Sequence, residues 1–142
     1  MSQVILQKQF AAHTDQLKQL RDWARDAAKQ AGLDNERVEQ VVIGVNEACM
    51  NIIEHAYKKK EGDVIFEVRQ EPEQLIFQLT DFAETVDCSC IKSRELDDIR
   101  PGGLGVHFIK QAMDQVIYLP GQDGVGNIIK MVIKTDKKRE PL

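Results

Sequence analysis

Residues 35–57, NERVEQVVIGVNEACMNIIEHAY, carry the strongest structural signal in the sequence. Their apolar residues recur at intervals of three and four, which indicates an amphipathic helix with one buried face. That face persists for about five helical turns and comprises Val38, Val41, Val42, Val45, Cys49, Ile52, Ile53 and Ala56. Asp34 directly precedes the helix and is suited to cap its free N–H groups, while Glu36 suits the positive end of the helix dipole. The stretch therefore predicts a long helix packed on a core.

A polar row lies on the other side of the same helix. At about 100° per residue, Glu47 and Asn51 project away from the apolar face and are neighbours, and His55 continues the row. Periodicity alone favours a face turned to solvent. The alternative is a nucleotide pocket, because a carboxylate can orient a hydroxyl nucleophile and an Asn carbonyl oxygen is a suitable Mg²⁺ ligand. Both interpretations stay open at this point.

The segments on either side of this helix predict an α+β domain. Helical periodicity predicts two more helices, one from Thr14, its cap, to a stop at Gly32, and one after Gly105. The third helix has an apolar side of Phe108, Ile109, Ala112, Met113 and Val116. Alternating apolar residues predict three strands, at residues 4–10, 64–68 and 75–79, and two more are predicted at residues 115–119 and 127–134 on either side of a turn-rich segment. The polar stretch of residues 81–100 is typical of a functional lid or a disordered loop.

Composition excludes several classes of protein. With a formal net charge of -4 over 142 residues, the chain lacks the basic surface that nucleic-acid phosphates require, so no direct nucleic-acid binding is expected. No run approaches the roughly 20 apolar residues of a membrane span, and the first residues lack the pattern of a signal peptide. Its three cysteines indicate reduced thiols rather than a disulfide framework. We expect one cytoplasmic domain over residues 1–142, with a frayed tail at 136–142.

A glycine-rich loop forms the second motif. Residues 100–105 read Arg100-Pro101-Gly102-Gly103-Leu104-Gly105 and stand directly before the predicted third helix. Glycines let backbone N–H groups approach phosphate oxygens, and a helix N-terminus adds partial positive charge. The spacing fits neither the P-loop nor the dinucleotide-binding fingerprint. Taken alone, the loop is equally well explained as a flexible turn.

The two motifs together, with Asp81 at a strand end between them, are more specific than either alone. The order E-x-x-x-N-x-x-x-H-A-Y at residues 47–57, then Asp81, then R-P-G-G-L-G, resembles the ATP-binding domain shared by gyrase, Hsp90, histidine kinases and MutL. Within that superfamily it is most similar to the bacterial anti-sigma-factor serine/threonine kinases, over almost the whole chain. The resemblance implies the Bergerat-type fold, a two-layer α/β sandwich with helices over one face of a mixed, largely antiparallel sheet.

The resemblance also implies roles for particular residues. Glu47 would act as the base or orienting group for the substrate hydroxyl, and Asn51 would bind the Mg²⁺ that bridges the phosphates of ATP. Asp81 would accept a hydrogen bond from the adenine amino group, with Asn127 near the base. The remaining residues implied in nucleotide binding belong to the glycine-rich loop and its lid, and are Arg100, Gly102, Gly103, Leu104 and Gly105.

Partners and alternatives follow from the same resemblance. Family members phosphorylate a STAS-domain anti-anti-sigma factor and sequester a sigma factor or an equivalent regulator, and homodimers are common among them. This chain departs from the family pattern after Asp81: the family usually carries D-x-G, whereas here Asp81 is followed by Phe82-Ala83-Glu84, with no glycine. A catalytically weak or inactive module that sequesters a regulator is therefore the alternative, and a stand-alone ATPase is a third hypothesis.

Overall fold

The computed structural model describes residues 2–57, 61–83, 113–121 and 126–135. These form a five-stranded sheet with helices packed against it. The strands are β1 (Gln3–Ala11), β2 (Asp63–Glu71), β3 (Gln74–Asp81), β4 (Gln115–Pro120) and β5 (Asn127–Lys134). The helical elements are a 3₁₀ turn (Thr14–Gln16), α1 (Leu17–Gln30), α2 (Asn35–Asn51) and a π-helical segment (Ile52–Ala56).

The strands are arranged in the order β1-β2-β3-β5-β4, and every pairing among them is antiparallel. The chain therefore passes from β3 to the edge strand β4 and then returns as β5 between them. This architecture confirms the α+β fold class.

The core lies between α2 and one face of the sheet. Alternate residues of β2 and β3 have no exposed surface, as the two-residue period predicts, and they are Val64, Phe66, Val68, Leu75, Phe77 and Leu79. The rings of Phe66 and Phe77 stack with their centroids 6.3 Å apart. Each such side chain stabilises the fold by about 1.5–3 kcal/mol through burial.

Helix α2 runs along the length of the sheet. Asp34 Oδ1 accepts a hydrogen bond from Arg37 N at 2.8 Å, which confirms the predicted cap. Arg37 Nη1 in turn donates to Lys134 O at 2.9 Å, so α2 begins over the end of β5. Its 17 residues span roughly 26 Å, while the 8 residues of β3 span roughly 27 Å. The C-terminal end of α2 therefore reaches the opposite end of the sheet, where β3 ends at Asp81.

The start of α1 differs from the prediction. Thr14 was expected to cap the helix, but it begins a 3₁₀ turn in which His13 Nδ1 accepts from Asp15 N at 3.2 Å. The 3₁₀ turn thus takes up the residues where the helix was expected to begin, and α1 starts at Leu17. The helix ends as predicted before Gly32, whose φ is 89°.

The predicted third helix is wrong at its C-terminal end. It was expected to include Met113 and Val116, but Val116 lies in β4. Asp114 N donates to Val132 O at 2.8 Å, and Asp114 Oδ2 accepts from Lys134 N at 2.6 Å. Because these bonds already attach the chain to β5, the helical period cannot continue through residue 113. The rest of that helix, the lid and the tail lie outside the described residues.

Candidate functional site

A buried carboxylate stands at the end of the central strand. Asp81, the last residue of β3, is 2% exposed, and it pairs in register with Asn127, the first residue of β5. Asn127 Nδ2 donates to Asp81 Oδ1 at 3.0 Å. Burial raises the pKa of Asp81, and the hydrogen bonds from Asn127 and from Ala83 N oppose that shift. An ionised carboxylate offers about four acceptor positions, so Asp81 can accept a further donor from a ligand.

The turn after Asp81 closes without a glycine. Ala83 N donates to Asp81 Oδ1 at 3.0 Å, two residues along the chain, in the manner of an Asx turn. Ala83 is half-buried and packs against the hydrophobic core. The departure from D-x-G therefore leaves the backbone beside the carboxylate in a closed turn, which weakens the argument that base binding is lost.

Gly126 brings the backbone before β5 into close contact with Asp81. Its φ is 79°, in the left-handed region, and a Cβ built on it would overlap the Asp81 carbonyl oxygen. Only glycine meets both conditions without strain. Gly126 therefore lets β5 start directly beside the carboxylate.

We expect the substitution Gly126→Ala to lower the free energy of unfolding by at least about 2 kcal/mol, because left-handed strain and steric overlap act together. If Asp81 binds a nucleotide, as the resemblance implies, nucleotide affinity should also fall, since Asp81 is displaced. Urea unfolding and a nucleotide titration measure the two effects. Gly32→Ala is the matched control, because it carries similar strain at φ 89° away from Asp81 and should lower stability alone. A Gly126→Ala protein as stable as the wild type would contradict this account.

A π-helical segment rotates the end of the long helix. Tyr57 N donates to Ile52 O, five residues back, at 2.9 Å. One extra residue in the turn delays the side chains that follow by about 100°. As a result Tyr57 is buried and Ala56 only partly so, although the continuous helical period had placed Ala56 on the buried face. Ala56 nevertheless packs against the hydrophobic core, so it stays on the face where the period had placed it, with less burial.

The Tyr57 hydroxyl joins three parts of the chain. It donates to Asp63 O at 2.7 Å and accepts from Phe82 N at 2.7 Å. A Cβ at Gly62 would overlap the Tyr57 ring, so the ring also requires glycine before β2. No role for Tyr57 was predicted from the sequence. Its position as the last residue of the motif at residues 47–57 is the one sequence feature that could have pointed to it.

The polar row of α2 points neither fully to solvent nor into the core. Glu47 and Asn51 are half-buried, whereas His55 is exposed. Asn51 is the last residue of α2 and stands six residues, roughly 9 Å along the axis, before Tyr57. Asn51 is therefore at the same end of the sheet as Asp81, with Glu47 one turn further back.

The helix residue next to Glu47 is fixed from the neighbouring helix. Asn46 Oδ1 accepts a hydrogen bond from Arg21 Nη1 of α1 at 3.0 Å. On the buried side, burial raises the pKa of the Cys49 thiol to about 12. Cys49 is consequently a protonated core residue rather than a reactive thiolate. The candidate functional side chains of α2 are therefore those of the polar row.

Some predicted site residues lie outside the described residues, namely Arg100, Gly102, Gly103, Leu104 and Gly105. Within the described ranges, no group of three or more His, Cys, Asp and Glu side chains is arranged to hold a metal ion. None of the helices in those ranges has the length and apolar content to cross a membrane.

Comparison with known proteins agrees with this geometry. A family model described as histidine kinase-like ATPase domain matches residues 10–133. The chain is 28% identical over 122 residues to the serine-protein kinase RsbW of Staphylococcus aureus (strain bovine RF122 / ET3-1), covering 78% of this chain and 75% of the relative. It is 27% identical over 97 residues to the serine-protein kinase RsbW of Bacillus cereus (strain G9842), covering 63% of this chain and 61% of that relative.

A solved structure shows the same fold. The histidine kinase domain from Erythrobacter litoralis EL346 blue-light activated histidine kinase aligns with a TM-score of 0.58 at 18% identity. The alignment covers 87% of this chain and 63% of that one, so the chain spans less than two thirds of its length. The resemblance carried by the motifs at residues 47–57 and 100–105 is thereby confirmed, and the family model spans both motifs and Asp81. The chain belongs to the family of histidine kinase-like ATPase domains.

Proposed function

We propose that this protein is an ATP-dependent serine/threonine protein kinase of the anti-sigma-factor type. The observation that carries the proposal is the position of Asp81, a buried carboxylate with spare acceptor capacity at the sheet end that α2 reaches with Asn51. Similarity to two proteins named serine-protein kinase RsbW supports the choice of a protein substrate.

Asp81 selects the base. Adenine presents an amino group as a donor at the position where guanine presents a carbonyl acceptor. An ionised carboxylate is acceptor-only and therefore binds the first and repels the second. Asn127 holds Oδ1 at 3.0 Å, so the carboxylate is oriented before a nucleotide arrives, which reduces the entropy lost on binding.

The polar row of α2 serves the phosphate end. Asn51 offers a carbonyl oxygen to Mg²⁺, which when bound neutralises and aligns the phosphate oxygens of ATP. Glu47, one turn away, orients the serine or threonine hydroxyl and accepts its proton. Arg100 and the glycines of residues 102–105 are proposed to contact the phosphates. Catalysis in such a site is mostly positioning and charge neutralisation.

The substrate we propose is a STAS-domain anti-anti-sigma factor in the cytoplasm. Its phosphorylation would release it, leaving the kinase to bind a sigma factor or an equivalent regulator, so the output depends on competing affinities. The alternative of an inactive sequestering module rested on the missing glycine after Asp81. Because Ala83 N closes that turn onto the carboxylate, we favour the active kinase.

Transfer of labelled γ-phosphate tests the proposal. The protein is incubated with Mg-ATP and with each STAS-domain protein from the same genome, and phosphorylated partner is quantified by mass spectrometry. We expect transfer to one serine or threonine of one partner, and none when that residue is replaced by alanine or when Mg²⁺ is chelated. A partner that binds the protein yet receives no phosphate, together with calorimetry that detects no ATP binding, would favour the sequestering module.

A further inference from the structure

The hydroxyl group of Tyr57 occupies the position of a missing strand-pairing bond. Val64 of β2 pairs with Asp81 of β3, so in an antiparallel ladder the next partners are Asp63 and Phe82. Tyr57 Oη lies between them, donating to Asp63 O and accepting from Phe82 N, each at 2.7 Å. The hydroxyl therefore takes the place of the direct N–H···O=C bond that would have continued the sheet by one pair.

This insertion ends the sheet at Asp81. With Phe82 N bound to the phenol, the next N–H along the chain, that of Ala83, turns back onto Asp81 Oδ1 at 3.0 Å. Three constraints thus meet on one residue: Val64 on one side, Asn127 on the other, and the turn of Ala83. Burial raises the pKa of the Tyr57 phenol, so it stays protonated as a donor at neutral pH.

The placement of the Tyr57 ring depends on two features that the helical period of the sequence does not predict. The π-helical turn of Ile52–Ala56 rotates Tyr57 under the strand end, and Gly62 leaves room for its ring. The hydroxyl already donates to Asp63 O and accepts from Phe82 N, so we expect its effect on a ligand to pass through the residues it binds.

We propose that Tyr57 is a positioning residue for base recognition, which separates β2 from β3 at their ends and so aims the Asp81 carboxylate at the adenine amino group. The inference rests on the proposed function, since it requires Asp81 to bind adenine. The two are distinguishable, because wild-type preference for adenine tests the proposed function and the effect of Tyr57 on that preference tests the inference.

The substitution Tyr57→Phe keeps the ring and removes the hydroxyl. Phe82 N and Asp63 O can then bond directly, so the sheet gains one pair and the fold is largely preserved, while the turn after Asp81 is pulled towards β2. We expect affinity for ATP to fall by about tenfold, and affinity for inosine triphosphate, which has a carbonyl in place of the amino group, to stay within about threefold.

Calorimetric titrations of the full chain with ATP and with inosine triphosphate give the ratio of the two affinities, which Tyr57→Phe should lower. Urea unfolding measures stability. Gly62→Ala keeps the hydroxyl but displaces the ring, and should lower the ratio in the same way. Val38→Ala, in the core at the far end of α2, should lower stability and leave the ratio unchanged.

Three outcomes would overturn the proposal. If Tyr57→Phe lowers both affinities equally, the residue is only structural. If the ratio of the two affinities is unchanged in both Tyr57→Phe and Gly62→Ala, the hydroxyl does not aim Asp81. A wild-type protein without preference for ATP over inosine triphosphate would remove the assignment of Asp81 itself, and with it both proposals.

Discussion

Replacing Asp81 by asparagine is expected to weaken ATP binding by roughly 30- to 1,000-fold while leaving the fold at least as stable as that of the wild type. The asparagine oxygen can still accept from Asn127 Nδ2 and Ala83 N, which both bind Oδ1 at 3.0 Å. Its amide nitrogen, however, is a donor and would face the amino group of adenine. Leaving such donors unpaired in a buried site costs about 2–4 kcal/mol, or roughly 30- to 1,000-fold in affinity.

The expected gain in stability follows from the pKa of Asp81. Burial raises that pKa in the folded protein above its ordinary value of 3.8. The contribution of Asp81 to stability is therefore fully present below 3.8 and is lost as the pH rises through the folded-state pKa. At neutral pH the ionised carboxylate is a net cost, which an uncharged amide of the same shape does not carry.

Calorimetry with ATP and urea unfolding at several pH values check these expectations. The difference in stability between Asp81→Asn and the wild type should grow as the pH is raised from 3.8, and wild-type ATP affinity should fall on acidification before an ordinary aspartate would protonate. Asp63→Asn is the control, since its exposed side chain is bound by Gln9 Nε2 and ATP affinity should not change. An Asp81→Asn protein that binds ATP normally would rule out the proposed base recognition.

Replacing Glu47 by glutamine is expected to lower phosphate transfer by about 10²- to 10⁴-fold, the usual contribution of a general base. Glutamine keeps the length and shape of the side chain but cannot accept the proton of the substrate hydroxyl. The half-buried position of Glu47 on α2 is one turn away from Asn51, so ATP affinity should stay within about threefold, because the base and phosphates bind to other groups.

Single-turnover transfer from Mg-ATP to the STAS-domain partner, with ATP affinity measured in parallel, separates the two quantities. Glu54→Gln is the matched control on the same helical segment, because Glu54 is exposed and its replacement should leave transfer unchanged. Normal transfer by Glu47→Gln would exclude it as the base. Loss of ATP binding together with transfer would assign Glu47 to nucleotide binding instead.

The elements whose signals are local could be predicted from the sequence. The apolar period of α2 depends only on neighbours three and four residues apart, and Asp34 caps the helix through Arg37 N, within one turn. The limits predicted for β5, Asn127–Lys134, are likewise those that the structure has. The two motifs predicted the family for the same reason, since each is a fixed spacing within a single segment.

Tertiary structure alone decided how the site is assembled. Asp81 and Asn127 are 46 residues apart along the chain, and Tyr57 and Phe82 are 25 apart. The first contact depends on the return of β5 between β3 and β4, and the second on the packing of the helix end against the end of β3, which no local period encodes. The π-helical turn also depends on tertiary structure, because the burial of Tyr57 between β2 and β3 offsets the free-energy cost of departing from the regular helix. A linear pattern records the side chains that such a site uses, but only the packing of distant segments places them together.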